Sequence, residues 1–229
     1  MMRCRLFSSM LVAGLLSLPA ALAVAATVSG KLSLPEELKT GRRFLGHWRV
    51  ENATIPTLPP PARGDTVVLL LMGSKTQILA PKNTPVEIVG MQANPSTVVV
   101  GEGAVVEFRN SDKVTHELFI PGKPDVMPPE RLSPGTVRKQ RFGVSGDYTV
   151  RCKEYPHVAA SVIVTSSPYY AAADEKGSFK LLDVPEGPAT IKVWSNGRWV
   201  HEETIEVTAK GADLTIKVNS ASSKEPSEQ

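Results

Sequence analysis

Short runs of β-branched and apolar residues, separated by turn residues, recur along this sequence and limit the folds that it can adopt. Several runs alternate polar and apolar residues with a period of two, as residues 148–152 do, whereas helical periodicity is weak after the N-terminus. The 17 Gly and 19 Pro among the 229 residues also argue against a helical bundle. We predict an all-β fold, because short strands at this spacing are typical of sandwiches and barrels. The predicted strands cover residues 66–72, 86–89, 97–100, 104–109, 116–120, 136–142, 146–152, 159–165, 178–182, 189–194, 202–208 and 214–218.

The first 26 residues have the composition of an export signal. Arg3 and Arg5 precede an apolar stretch over residues 10–23, and small residues around Ala23 and Ala26 fit a cleavage site. A membrane anchor is the alternative, but the stretch is shorter than the roughly 20 residues that a spanning helix needs. We predict a cleaved signal peptide at 1–26 and a periplasmic or secreted mature protein without a membrane span.

The charge of the chain argues against nucleic acid as a partner. The formal net charge is +3, and removal of the signal, which carries two arginines and no acidic residue, lowers it to +1. A nucleic-acid surface needs a much larger excess of Lys and Arg. We therefore expect no nucleic-acid partner.

Signal cleavage leaves one cysteine, Cys152, in a compartment that oxidises thiols. Such a cysteine is buried and inert, pairs with another chain, or binds a metal as thiolate. His116 begins a predicted strand, Cys152 ends another, and His157 follows five residues later in a loop. One thiolate and two imidazoles suit both Cu(I) and Cu(II). A copper site is thus one of three interpretations of this cysteine.

Residues 87–165 resemble the cupredoxin (plastocyanin/azurin) family. The resemblance depends on Val-Val-Val-Gly-Glu-Gly at 98–103, Val-Val-Glu-Phe-Arg-Asn-Ser-Asp at 105–112, His116, and Gly-Asp-Tyr-Thr-Val-Arg-Cys at 146–152. It implies a Greek-key sandwich with type 1 copper, electron transfer and a redox partner protein. The metal ligands that it implies are His116, Cys152 and His157.

The ligand loop departs from the family pattern. Related loops read Cys-x-x-His-Pro-x-Met, whereas this chain has Tyr155 in place of the histidine and Val158 in place of the methionine. His157 has the Cys-x-x-x-x-His spacing of azurins, but no methionine follows it. Tyr155 is therefore either a packed aromatic or an oxygen ligand, and a degenerate site without metal, or zinc instead of copper, are the alternatives. The candidates for an axial ligand are Met91, Met127, Tyr155, Glu154, a main-chain carbonyl, or none.

Residues 174–187 resemble the carboxypeptidase regulatory-like (transthyretin-like) sandwich. They match its Asp-x-x-Gly-x-Phe-x-Leu-x-x-Val-Pro-x-Gly pattern, and Gly177 lies where a turn needs positive φ. The first strands of such a domain occur far upstream, at 28–32 and 66–71. We predict that the cupredoxin unit is inserted into this second sandwich, because an unpaired 67–71 strand would expose an apolar edge. Two consecutive domains with a loose N-terminal arm are the alternative.

These patterns together predict the domain organisation and the function. The predicted segments are 1–26 (signal), 27–81 (first strands of the second sandwich, with a long loop at 39–63), 82–166 (cupredoxin-like), 167–219 (rest of the second sandwich) and 220–229 (disordered tail). The sequence has no nucleophile elbow, Gly-rich phosphate loop or His-Glu-x-x-His. We expect an exported copper protein that transfers electrons and is not an enzyme. The alternative is a non-redox binding or scaffold module at the cell envelope.

Overall fold

The computed structural model describes residues 26–35, 66–73 and 78–218. All regular secondary structure in these ranges is β-strand, which confirms the all-β prediction. The same ranges contain no helix that could cross a membrane. The predicted signal (apart from Ala26), the 39–63 loop and the 220–229 tail lie outside the described residues. The strands are β1 (Ala26–Ser33), β2 (Val67–Met72), β3 (Thr84–Val89), β4 (Gln92–Asn94), β5 (Thr97–Val100), β6 (Ala104–Asn110), β7 (His116–Phe119), β8 (Glu130–Leu132), β9 (Val137–Phe142), β10 (Gly146–Cys152), β11 (Ala159–Val164), β12 (Tyr170–Ala172), β13 (Ser178–Val184), β14 (Gly187–Ser195), β15 (Arg198–Val207) and β16 (Ala212–Lys217).

Strands β3 to β11 form a first sandwich of two sheets. One sheet has the order β4-β3-β6-β9 and the other β5-β11-β10-β7-β8. Alternating residues of β6 and β10 are buried, so the period-two pattern of the sequence gives one apolar face per sheet. These faces enclose a continuous core that includes Phe108, Phe142 and Val162. Two strand pairs, β3 with β6 and β5 with β11, are parallel, so the chain must cross between sheets to form them.

The remaining strands form a second sandwich with sheets β13-β1-β16 and β12-β2-β14-β15. Its strands β1 and β2 precede the first sandwich in the chain, and β12 to β16 follow it. The apolar run of β2 is paired on both sides, by β12 and by β14, so it does not form an exposed edge. Strands from both ends of the described chain thus share this sandwich, while the insertion of a cupredoxin unit into a carboxypeptidase regulatory-like domain stays a prediction.

The turn predicted at residues 174–177 is confirmed. Gly177 has a φ of 77°, and its N–H donates to the Asp174 carbonyl over 2.9 Å. The Asp174 side chain also accepts the backbone N–H groups of Lys176 and Ser178, at 2.9 and 2.7 Å. The aspartate therefore closes this turn through its own carboxylate, as Asx turns do.

An apolar cluster joins the two sandwiches. Ile163 of the first sandwich packs with Val67, Leu69 and Trp194 of the second. The Trp194 and Trp199 rings meet edge to face with centroids 5.0 Å apart. Beside them the Trp199 indole N–H donates to the carboxylate of Asp147, on β10, over 3.3 Å. This polar contact fixes the start of β10 against the second sandwich.

The sequence pattern missed three short strands, β4, β8 and β12. Each has three residues, is rich in polar or small side chains, and is formed by pairing with a longer neighbour. β4 follows a turn in which Gly90 and Met91 both have positive φ, 60° and 63°. Methionine seldom adopts such a conformation, so the hairpin had no recognisable turn signal in the sequence.

Candidate metal centre

His116 and Cys152 lie on adjacent antiparallel strands at one end of the first sandwich. His116 is the first residue of β7 and Cys152 the last of β10, and Cys152 is directly opposite Leu118. His116 and Leu118 are two residues apart on β7, so both side chains lie on its buried face. Since Cys152 is opposite Leu118, it is the diagonal neighbour of His116 across the two strands. Such neighbours have a typical separation of about 7–8 Å, which long side chains can bridge.

The imidazole of His116 is buried with its two nitrogens in different states. The side chain is 0% exposed, and Nε2 lies 3.0 Å from Oδ2 of Asp112. The other nitrogen, Nδ1, is buried and has no hydrogen-bond partner among the described residues. A buried polar atom without a partner is unfavourable by about 1–3 kcal/mol unless something binds it. This atom is the clearest sign of a ligand at this end of the sandwich.

The loop that carries His116 into β7 is held by the buried side chain of Asn110. Its Nδ2 donates to the carbonyls of Val114 and Leu132, both over 2.8 Å. Its Oδ1 accepts the backbone N–H of Asp112 at 3.0 Å. Because the amide uses both its donors and its acceptor, residues 110–116 have little freedom to move.

The thiol of Cys152 is buried and protonated. The residue is 2% exposed, and Sγ donates to Oε2 of Glu154 over 3.4 Å. Burial raises the pKa of the Cys152 thiol, and backbone N–H groups, including that of Tyr155, only partly offset this effect. Burial also acts to raise the pKa of Glu154, but the hydrogen bonds that its carboxylate accepts, including one from Cys152, lower it overall. The carboxylate of Glu154 thus stays charged and accepts the hydrogen bond of the thiol.

The short loop after Cys152 brings two further aromatic side chains to His116. The Tyr155 ring meets the His116 ring edge-on at 5.4 Å between centroids and the His157 ring at 6.3 Å. Both distances are in the range of favourable aromatic contacts. Burial lowers the pKa of His157, and the nearby His116 lowers it further. His157 is therefore neutral around pH 7, the form in which imidazole binds metals.

The structure brings His116, Cys152, Tyr155 and His157 to one end of the sandwich. Among the described residues, however, no three His, Cys, Asp or Glu side chains are placed to hold a metal ion. A phenol oxygen is outside that set of ligand types. His116 and Cys152 are both buried, and Nδ1 of His116 has no hydrogen-bond partner among the described residues, so this pair of donors suits a soft metal ion. A third donor is not in place in the described part of the chain.

The methionines considered as axial ligands lie in or against the core. Met127 is fully buried in the first sandwich. Its carbonyl accepts the backbone N–H of Ile120, and its own N–H donates to the carbonyl of Lys123. Met91 is half-buried and packs against the same core. The role of both as ligands stays a prediction.

Asp112 is a residue of the site that the sequence analysis missed. It lies four residues before His116, at the end of the 105–112 motif, and the sequence analysis gave it no role of its own. An acidic residue shortly before a candidate ligand histidine is the one signal that would have found it.

No family model and none of the curated proteins matches this sequence. Among solved structures, amicyanin from Paracoccus versutus matches at 20% identity and a TM-score of 0.33, over 42% of this chain and 96% of its own. A purple cupredoxin from Nitrosopumilus maritimus matches at 19% identity and a TM-score of 0.31, over 35% and 98%. A copper-containing nitrite reductase from Thermus scotoductus matches at 24% identity and a TM-score of 0.31, over 41% of this chain and 24% of its own. These matches concern the fold of less than half of the chain.

Proposed function

We propose that this protein binds one copper ion at the candidate metal centre and carries electrons as an exported protein, without catalysis of its own. The observation that carries the proposal is the buried Nδ1 of His116, which has no partner in the described part of the chain, on the strand next to Cys152. An imidazole nitrogen and a thiolate are donors that copper accepts in both of its common oxidation states. Bound copper would supply one-electron redox chemistry.

The protein's own residues prepare this site in two ways. Strands β7 and β10 fix the spacing of His116 and Cys152, and the surrounding core keeps water away from both. The hydrogen bond from Sγ of Cys152 to Oε2 of Glu154, over 3.4 Å, orients the thiol before a metal binds. The thiol must lose its proton to solvent when the metal binds.

We propose His157 as the third donor and Tyr155 as a packing residue. The lowered pKa of His157 favours the neutral imidazole that a metal requires. The Tyr155 ring meets both imidazoles edge-on, as a packed aromatic side chain does.

Titration of the purified protein with Cu(II), followed by visible absorption, tests the proposal. We expect an intense thiolate-to-copper band that saturates at one equivalent and is absent in Cys152→Ser. The serine variant retains the fold, since serine differs from cysteine by one atom at the end of a strand. Absence of the band in the unmodified protein, with Cys152 still reactive toward a thiol reagent after unfolding, would overturn the proposal. It would favour the non-redox binding module instead.

The variant Tyr155→Phe tests the choice of the third donor. We expect the band and the copper affinity to remain almost unchanged, because phenylalanine keeps the ring contacts and removes only the hydroxyl. Absorption spectra and competition with a copper chelator measure both quantities. Loss of the band in this variant would make Tyr155 the ligand in place of His157.

A further inference from the structure

The carboxylate of Asp112 accepts three hydrogen bonds. Oδ1 accepts the backbone N–H of Gly90 over 2.6 Å, and Oδ2 accepts the backbone N–H of Met91 over 3.0 Å. Oδ2 also lies 3.0 Å from Nε2 of His116. Two fixed main-chain donors and one imidazole therefore surround a carboxylate with a side-chain exposure of 11%.

The two main-chain donors form a concave anion site. Gly90 and Met91 both have a left-handed backbone, with φ of 60° and 63°, and their successive N–H groups point to the two oxygens of one carboxylate. The chain keeps Met91 in this unfavourable conformation, which other interactions must compensate. The Asp112 carboxylate supplies that compensation. From the other side, its own backbone N–H is held by Asn110 over 3.0 Å.

This geometry fixes the proton on the His116 ring. A carboxylate accepts hydrogen bonds and does not donate them, so the nitrogen that faces it carries the hydrogen. A neutral imidazole has only one N–H, so a hydrogen on Nε2 leaves Nδ1 with its lone pair. Nδ1 is the buried nitrogen that has no partner among the described residues.

We infer that Asp112, seated in the Gly90–Met91 turn, is a positioning residue that holds His116 as the Nε2–H tautomer with Nδ1 ready to bind a metal. The inference rests on the proposed function for its purpose. The tautomer itself is a property of the metal-free protein. Carboxylates that accept a hydrogen bond from a ligand histidine and orient its ring contribute about 10- to 100-fold to metal affinity.

Long-range proton–nitrogen NMR of the metal-free protein tests the tautomer directly. We expect the His116 spectrum to show the hydrogen on Nε2 and an unprotonated Nδ1. In Asp112→Ala we expect a mixture of both tautomers, and in Asp112→Asn, which keeps one acceptor oxygen, a partial return to the Nε2–H form. The same substitution at the exposed Asp125 is the matched control and leaves the His116 signals unchanged.

Copper titration of the same variants gives a second readout. We expect the dissociation constant for copper to rise about 10- to 100-fold in Asp112→Ala and to recover partly in Asp112→Asn. A hydrogen on Nδ1 of His116 in the unmodified protein would overturn the inference without any variant, as would an unchanged Nε2–H tautomer in a folded Asp112→Ala. If the tautomer is as expected and copper does not bind, the proposed function fails and the inference on Asp112 stands.

Discussion

The two sides of the candidate metal centre differ in how firmly the fold holds them. On the strand side, His116 is fully buried, and Asp112 and Asn110 tie its ring and its loop to neighbouring segments. On the loop side, Tyr155 and His157 are half-buried. Two backbone hydrogen bonds close that loop, from Cys152 N–H to the Val158 carbonyl over 3.1 Å and from Val158 N–H to the Tyr155 carbonyl over 2.9 Å.

The strands thus hold one candidate imidazole donor in place, while the position of the other depends on the loop. The hydrogen bonds that close the loop are between main-chain atoms, so they do not depend on the side chains at 155 and 157. A loop of this kind accepts a tyrosine where the family pattern has a histidine, with little effect on the strands around it. Replacement of a residue on the strand side, by contrast, leaves buried polar groups without partners.

The largest expected contrast is between His116→Ala and His157→Ala. We expect His116→Ala to raise the dissociation constant for copper by more than the roughly 100-fold that follows from loss of a residue that only hydrogen-bonds a metal ligand. We expect a smaller rise, about tenfold, for the second, because the loop has Tyr155 beside the site as a substitute donor. Competition titrations with a copper chelator measure both constants. Equal losses for the two variants would show that the fold holds both sides alike.

The next contrast concerns stability. Asn110→Ala removes a buried amide that serves three backbone groups, so we expect the free energy of unfolding to fall by about 2–3 kcal/mol. Urea or guanidinium unfolding of the metal-free protein measures the change. The exposed Asn83→Ala is the matched control, with an expected change within about 0.5 kcal/mol. A loss at Asn110 as small as that of the control would contradict a rigid strand side.

The smallest expected effect is the pH dependence that His157 contributes. Burial, and then His116, lowers its pKa below the ordinary value of 6.5, so the unfolded chain binds the proton more readily than the folded one. The stabilisation is complete above the unfolded pKa and is lost as the pH falls through the folded pKa. We expect the metal-free protein to lose this stabilisation as the pH falls below about 6.5, and His157→Gln to lose less.

Denaturant unfolding at several pH values measures this difference. Identical profiles for His157→Gln and the unmodified protein would show that the loop histidine is as accessible in the folded state as in the unfolded one.

Much of the fold was predictable because burial on one face imposes a period of two. The predicted runs at 97–100 and 146–152 coincide with β5 and β10, and most other strands differ by a few residues at their ends. The positions of His116 at the start of a strand and Cys152 at the end of one followed directly from those runs. The short β4 was missed, since its pairing with β3 follows a turn at Met91 that has no sequence signature.

The sequence could not predict the hydrogen bonds and ring contacts that surround His116 at the candidate site. The carboxylate of Asp112 accepts hydrogen bonds from Gly90 and Met91, which are more than 20 residues away in the chain. Only the packing of two loops brings these residues together. The edge contact of Tyr155 with His116 likewise depends on how the loop folds back over β7. Residue types and spacing gave the candidate donors, and their hydrogen-bond partners came from the tertiary structure.

Strand β10 connects the candidate site to the joint between the sandwiches. Asp147, near its start, accepts the indole hydrogen of Trp199, and Cys152 is its last residue. Five residue steps of extended chain span about 17 Å, and the pairing of β10 with β11 over residues 146–151 holds the strand extended. The length of one strand therefore sets the distance from the cysteine to the contact between the two sandwiches.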